Sequence, residues 1–220
     1  MLQDKLIKAD LLLLLLFVAL VTIISFRINA EGTGYLSPDS IHYLGLAQNI
    51  KDGHGLYVLS DSGTRSYFSI WPVGYPVLIY LFSELSTLDV YWSSKLLNFV
   101  LLAIGFVFLR QFCRPYAFIL ASIYGAYTYM EVYSFTWSEA PFLLLILLLA
   151  GIAYKILKGQ DSVKSISVLF LVCMCLFLIR YIGAFSFAVP ALLGLHFAFK
   201  GNRKKTLYLF VCSFLLAVLA

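Results

Sequence analysis

Asp39 is the residue best placed to do chemistry. It lies in the segment from Ser37 to Leu56, where polar groups interrupt long apolar stretches of the chain. A carboxylate beside a membrane can accept a proton from a hydroxyl group and so act as a general base. An acid in the first turn of a helix also complements the helix dipole without any catalysis. Both interpretations are open for this residue taken alone.

The segment that carries Asp39 has the signals of a helix. Ser37 can cap it, Pro38 suits its first position, and Gly53 with Gly55 can end it. Its apolar residues recur at helical spacing and give one stripe opposite His42, Asn49 and Lys51: Ile41, Leu44, Ala47 or Gln48, and Ile50. This pattern predicts a helix lying along the membrane surface. A second short helix is predicted from Tyr75 to Leu85, and the two would frame a cavity.

These elements belong to a membrane protein, because 62% of the 220 residues are hydrophobic and only 12% are charged. A membrane-spanning helix needs about 20 apolar residues. Segments that approach this length are 9–28, 90–112, 115–134, 138–157, 163–180 and 181–199, and a seventh begins near Thr206 and runs to Ala220. We expect an all-α integral membrane protein, with one polytopic bundle over residues 1–220 that is the N-terminal part of a longer protein.

The region from 163 to 199 could form one long tilted helix or two short ones. Arg180 and Tyr181 in its middle, and Gly183 just beyond, favour two helices that meet near the outer face. The charge pattern requires the same turn, because Lys164 and Lys200 should lie on one side. The four cysteines lie in or beside apolar segments and show no metal-ligand spacing.

The charge distribution predicts an orientation. A cytoplasmic N-terminus places eleven of the sixteen basic residues inside and eight of the eleven acids outside. The loop from Asn29 to Leu88 then faces outward, as expected for a multi-pass protein of the plasma membrane. The net charge of +5 is explained by this asymmetry, so nucleic acid is not an expected partner.

Four motifs resemble one enzyme family. The first two are Pro38-Asp39-Ser40-x-x-Tyr43-x-x-Leu46-Ala47-x-Asn49-Ile50-x-x-Gly53-x-Gly55-Leu56 and Trp71-Pro72-Val73-Gly74-Tyr75-Pro76. The others are Trp137-Ser138-Glu139-Ala140-Pro141-Phe142-Leu143 and Arg180-Tyr181-Ile182-Gly183. Their types and order resemble the GT-C-fold, polyprenyl-phosphate-sugar-dependent glycosyltransferases related to protein O-mannosyltransferases and aminoarabinose transferases. Ser40 stands where many relatives have a second acid, and Ile70-Trp71 stand where the aminoarabinose branch has a lysine.

The resemblance implies an inverting transfer of a sugar from a polyprenyl phosphate to a lipid, glycan or protein acceptor on the outer face. Asp39 would be the base for the acceptor hydroxyl. Arg180, helped by Arg65, would bind the donor phosphate. The plainer alternatives are an ion pair of Arg180 with Glu131 or Glu139, or snorkelling to the interface, and simple solvation of Arg65.

Three further residues are expected to contact substrate. Tyr43 and His54 could line the sugar pocket, and Glu139 could orient the acceptor or assist Asp39. Glu139 could instead be an acid that complements the dipole of its helix. No residue is assigned as a metal ligand. A divalent cation held between carboxylates of two outer loops is left open. The alternative functions are a non-catalytic or truncated protein of the same fold, or a transporter or lipid-scaffolding protein.

Overall fold

A computed structural model describes residues 2–59, 65–69, 71–159 and 163–219. The described chain is 82% helical, which confirms an all-α class. The helices in chain order are α1 (Leu2–Ala30), α2 (Pro38–Lys51), α3 (Gly74–Ser86), α4 (Val90–Phe112), α5 (Ala117–Ala121), α6 (Tyr127–Ser134), α7 (Glu139–Leu157), α8 (Val163–Ile179), α9 (Ala188–Phe199) and α10 (Arg203–Leu219). Short 3₁₀ helices cover Arg114–Tyr116, Ser122–Gly125 and Tyr181–Phe187.

Four described helical segments are long and apolar enough to cross a membrane: Ala9–Ala30, Val90–Phe112, Glu139–Leu157 and Tyr181–Phe199. They indicate a membrane protein and match four of the predicted spans. The helix at Lys164–Ile179 is apolar but shorter. Many large apolar side chains on α1 are exposed, and Phe26 is 73% exposed. A bilayer covers such side chains, whereas water would not.

The predicted continuous span over 115–134 is wrong. This stretch is divided among a 3₁₀ turn, α5, a second 3₁₀ turn and α6. Ala126 has extended backbone (φ −68°, ψ 145°), which interrupts the helical hydrogen-bond ladder. Beside this break, the buried Tyr124 ring packs against Phe106, Tyr129 and Tyr133. Packing of one aromatic ring against three others therefore accompanies the interruption.

Both helices predicted within residues 29–88 and the break at Arg180 are present, while the outer-face location of the two helices stays a prediction. Helix α2 begins at Pro38 after the Ser37 cap, and Gly53 (φ +79°) and Gly55 (φ +70°) follow its end. Helix α3 extends the predicted second helix by one residue at each end. Arg180 has extended backbone between α8 and the 3₁₀ turn. One element was not predicted: β1 (Tyr57–Leu59) pairs antiparallel with β2 (Arg65–Tyr67), with Tyr57 opposite Tyr67.

The chain forms two compact units. Unit 1 falls within Met1–Phe68 and Tyr75–Leu144, and unit 2 within Ser69–Gly74 and Leu145–Ala220. In unit 1, α1 packs against α4, α5 and α6 around the buried Leu102 and Tyr133. In unit 2, α10 packs against α8 and α9 around Leu169, Leu176, Leu209 and Leu216, all fully buried. The single-domain organisation with about seven spanning helices stays a prediction.

Candidate functional site

The site predicted around Asp39 lies at the N-terminus of α2, in unit 1. The Ser37 side chain accepts a hydrogen bond from the Ser40 backbone N–H (3.2 Å), so α2 is capped without the Asp39 carboxylate. Asp39 is partly exposed in the first turn. Within the described residues, no hydrogen bond or ion pair to its carboxylate is found. The carboxylate is therefore available to a ligand, and the favourable field of the helix dipole acts on it as well.

Two hydrogen bonds attach α2 to the segment that leads into α7. Trp137 Nε1 donates to Ser37 Oγ (2.7 Å), and the Tyr43 hydroxyl shares a hydrogen bond of 3.0 Å with Ser138 Oγ. Ser37 lies two residues before Asp39, and Tyr43 lies four residues after it, on the same side of the helix. The turn that carries Asp39 is therefore held from both ends.

Glu139 is brought to the same junction, because it follows Ser138 directly and begins α7. Its side chain is partly buried and has an interaction of its own. The N-termini of α2 and α7, each with an acid in its first turn, are thus joined through the Tyr43 to Ser138 bond. This places two candidate acids of unit 1 on adjoining turns.

Tyr43 is buried, with 3% of its surface exposed, and its ring meets that of Tyr75 edge to face at 5.2 Å. The Tyr75 hydroxyl in turn donates to Asn98 Oδ1 (3.3 Å). Burial raises the pKa of the Tyr75 phenol, with smaller contributions from Tyr43 and Glu139, so this group keeps its proton and remains a donor. The described contacts of Tyr43 therefore hold the junction together, and a direct sugar contact stays a prediction.

The buried face of α2 differs from the apolar stripe seen in the sequence. Ser40, Tyr43, Leu46 and Ala47 are buried, whereas Ile41 is 61% exposed. The two faces share Ala47 alone among these positions. The cause is tertiary contact. Tyr43 faces inward because it bonds to Ser138 and its ring contacts Tyr75, although Ile41 is the more hydrophobic side chain.

Sequence reasoning missed a buried polar layer on α4. Lys95 Nζ donates to Ser134 O (2.7 Å), Asn98 Nδ2 donates to Phe135 O (2.8 Å), and Ser94 Oγ shares a 2.7 Å hydrogen bond with Thr136 Oγ1. These bonds provide hydrogen-bond partners for polar groups of residues 134–136, where the chain passes from α6 towards α7. The signal was present, because polar residues in an apolar spanning helix are costly unless they face a partner.

His54 and Arg65 lie beyond the C-terminal end of α2. His54 is exposed between the two left-handed glycines, and its backbone N–H donates to Asn49 O (2.8 Å). Asn49 Nδ2 also donates to Tyr57 O (2.9 Å), which attaches β1 to the same end of the helix. The Arg65 backbone pairs with Leu59 in the hairpin, and its side chain lies outside the described part of the structure.

Arg180 belongs to unit 2 and is half-buried, with an interaction of its own. Glu131, one of the two acids named above as a possible ion-pair partner of Arg180, forms an ion pair with Arg27 within unit 1. The Arg180 turn is tightly packed: a Cβ on Gly183 would lie 2.3 Å from the Leu176 carbonyl, and one on Gly74 would lie 2.4 Å from Leu178 O. Gly74, at the end of the Trp71 to Gly74 segment, therefore packs closely against Leu178 of α8, two residues before Arg180.

Trp71 adds an unused donor to this part of unit 2. Its indole Nε1 is buried, and it has no hydrogen-bond partner within the described chain. A buried donor without an acceptor costs about 1–3 kcal/mol. An acceptor supplied by a ligand, such as a phosphate oxygen, would remove that cost.

No group of three or more His, Cys, Asp or Glu side chains that could hold a metal occurs among the described residues. A divalent cation at the junction of the two acids stays a prediction. In comparisons with known proteins, no family model, no curated protein and no solved structure matches this chain.

Proposed function

We propose that this chain is a membrane glycosyltransferase that moves a sugar from a polyprenyl phosphate to an acceptor hydroxyl, with inversion at the anomeric carbon. The observation that carries the proposal is the state of Asp39. Its helical turn is held by the bonds of Ser37 and Tyr43, while no described residue engages its carboxylate. Ser37 already caps α2, so a second acceptor at this end is not needed for helix stability.

Asp39 acts in this proposal as the general base. One carboxylate oxygen of Asp39 takes the proton of the acceptor hydroxyl, while the hydroxyl oxygen attacks the anomeric carbon from the face opposite the phosphate. The bond from the anomeric carbon to the phosphate oxygen breaks, and its electron pair leaves with the polyprenyl phosphate. Asp39 then returns its proton to water.

The departing phosphate needs positive charge, for which we propose Arg180, helped by Arg65. The unused Trp71 N–H lies three residues before Gly74, which packs against α8 near Arg180, and this supports a phosphate acceptor there. His54 is proposed to line the sugar pocket and Glu139 to orient the acceptor. Tyr43 is proposed to act through Ser138, by holding the turn that carries Asp39.

The proposed arrangement is a polytopic bundle in the plasma membrane with a cytoplasmic N-terminus. Helices α2 and α3 then lie on the outer face, and the exposed Ile41 of α2 can contact the bilayer. The proposed partners are a polyprenyl-phosphate sugar, a lipid, glycan or protein acceptor, and membrane lipids.

The test is transfer by purified protein in lipid nanodiscs. A panel of hexosyl and pentosyl donors on short polyprenyl phosphates is offered with mixed acceptors. Asp39→Asn should lower the transfer rate by about 10²- to 10⁴-fold, the usual contribution of a general base. Asp52→Asn is the matched control, because Asp52 is exposed at the other end of α2. Undiminished transfer by Asp39→Asn would contradict the proposal, and addition of a chelator tests the divalent cation.

The alternative is a transporter or a non-catalytic membrane protein of the same fold. One observation favours it: Arg27 of the membrane-spanning α1 forms an ion pair with Glu131 of the short helix α6, and a paired charge on a membrane helix can line a pathway. Absence of transfer by the wild-type protein with every donor in the panel would favour this alternative.

A further inference from the structure

Unit 2 carries the positive charge of the chain. Its sequence contains eight basic residues and a single acid, Asp161, which lies outside the described residues, whereas the rest of the chain has eight basic residues and ten acids. Seven of the eight basic residues of unit 2 lie at helix ends: Lys155 and Lys158 at the end of α7, Lys164 at the start of α8, Lys200 after α9, and residues 203–205 at the start of α10. One carboxylate can neutralise only one of these seven cations.

The fold of unit 2 brings these helix ends together. The chain turns back after α8, because Cys173 Sγ of α8 donates to Ser186 O (3.5 Å) in the following 3₁₀ turn. It turns back again after α9, because Ser213 Oγ of α10 donates to Phe187 O (2.7 Å). Helices α8 and α10 therefore run in the same direction and begin at one end of unit 2. Short links place the ends of α7 and α9 there too. We call the seven cations the basic end of unit 2.

Apolar side chains are exposed among these cations. Phe199, next to Lys200, is 91% exposed, and Leu157 and Leu207 are exposed as well. Five of the cations are themselves exposed: Lys158, Lys164, Lys200, Arg203 and Lys204. The segment Tyr181–Phe199, which is able to span a membrane, ends at Phe199, directly before Lys200. The basic end of unit 2 therefore lies at the level where the apolar part of a bilayer meets its headgroups.

We propose that the basic end of unit 2 binds anionic phospholipids, with phosphates at the exposed Lys and Arg side chains and acyl chains against Phe199 and Leu207. Basic residues beside a membrane surface attract anionic headgroups, and arginine and lysine both bind phosphate. An acidic peptide or a nucleic acid would match the charge but would leave the exposed apolar side chains without an apolar partner. An anionic lipid matches both, and the proposal uses none of the residues proposed for glycosyl transfer.

Native mass spectrometry of the full chain, released from detergent after exposure to matched lipids, tests the proposal. Phosphatidylglycerol should be retained at least about 10-fold more than phosphatidylcholine with the same acyl chains. The combined variant Lys200→Gln, Arg203→Gln and Lys204→Gln removes three exposed cations and should lower this preference at least about fivefold. The matched control is Lys200→Arg, Arg203→Lys and Lys204→Arg, which keeps the charge and should keep the preference.

Competitors separate the lipid from other anions. Inorganic phosphate, hexaglutamate and a short RNA, each at the concentration of the lipid, should not displace phosphatidylglycerol. Displacement by any of them, equal retention of the two lipids by the wild-type chain, or an unchanged preference in the glutamine variant would each overturn the proposal. The comparison of the two lipids needs no variant, so it decides the matter even if the glutamine variant does not fold. The result is independent of Asp39 and leaves the transferase proposal untouched.

Discussion

Ser37 serves two partners at the N-terminus of α2. Its hydroxyl oxygen accepts from the Ser40 backbone N–H (3.2 Å) and from Trp137 Nε1 (2.7 Å). The Trp137 ring is itself stacked on Phe135 at 4.4 Å. One hydroxyl thus links a helix cap to a packed aromatic pair. These contacts fix the backbone of the helical turn that carries the neighbouring Asp39.

Replacement of Ser37 should therefore cost more than an ordinary cap. Ser37→Ala removes a cap worth about 1 kcal/mol and leaves the Trp137 N–H without its acceptor, for about 1–3 kcal/mol more. Denaturation in detergent, followed by circular dichroism, measures the loss of stability. Ser66→Ala, at an exposed position of β2, is the control and should change stability little. Equal stability of the two variants would show that Ser37 does not hold the junction.

At the scale of elements, α4 combines a membrane span with a polar binding face. Ser94, Lys95 and Asn98 all bind groups of residues 133–136, which are the last two residues of α6 and the first two of the link to α7. The last carbonyls of a helix and backbone outside a helix both need such partners wherever water is absent. Helix α4 therefore positions the junction at which Asp39 and Glu139 lie.

Asn98→Leu tests this role of α4. It removes the donor to the Tyr133 and Phe135 carbonyls and the acceptor for the Tyr75 hydroxyl, all at a fully buried side chain. Each buried polar group left without a partner costs about 1–3 kcal/mol, so we expect a loss of more than about 2 kcal/mol.

The measurement is the midpoint of unfolding in sodium dodecyl sulfate titrated into mild detergent. The control is Gln111→Leu, because Gln111 is exposed near the end of the same helix and the substitution is the closest match in size. If both variants unfold at the wild-type midpoint, the polar layer does not stabilise unit 1.

At the scale of the whole molecule, the basic residues define the expected orientation. The basic clusters at the end of α7 (Lys155 with Lys158) and at the beginning of α10 (Arg203 with Lys204 and Lys205) should face the cytoplasm. On the cytoplasmic side predicted for α1 and α4, Asp10 also binds Arg110 (2.6 Å) and Arg114 (3.2 Å). The same orientation places Asp39 outside, where the proposed acceptor is found.

Cysteine labelling in intact cells tests this orientation. In a background without Cys113, Cys173, Cys175 and Cys212, His54→Cys should react with a membrane-impermeant maleimide added outside. Lys204→Cys should react only after the membrane is permeabilised. The opposite pattern would place Asp39 on the cytoplasmic side and remove the basis for transfer to an outer-face acceptor.

The sequence by itself determined the local features: the membrane character, the bounds of α2 and α3, and the break at Arg180. Composition, capping residues and glycines act over a few neighbouring positions, so their effect is readable from the chain alone. It misjudged the 115–134 span and the buried face of α2, and it missed Lys95 and Asn98. Only the tertiary structure decided these, because they depend on hydrogen bonds and ring contacts between residues far apart in sequence, such as Tyr43 with Ser138.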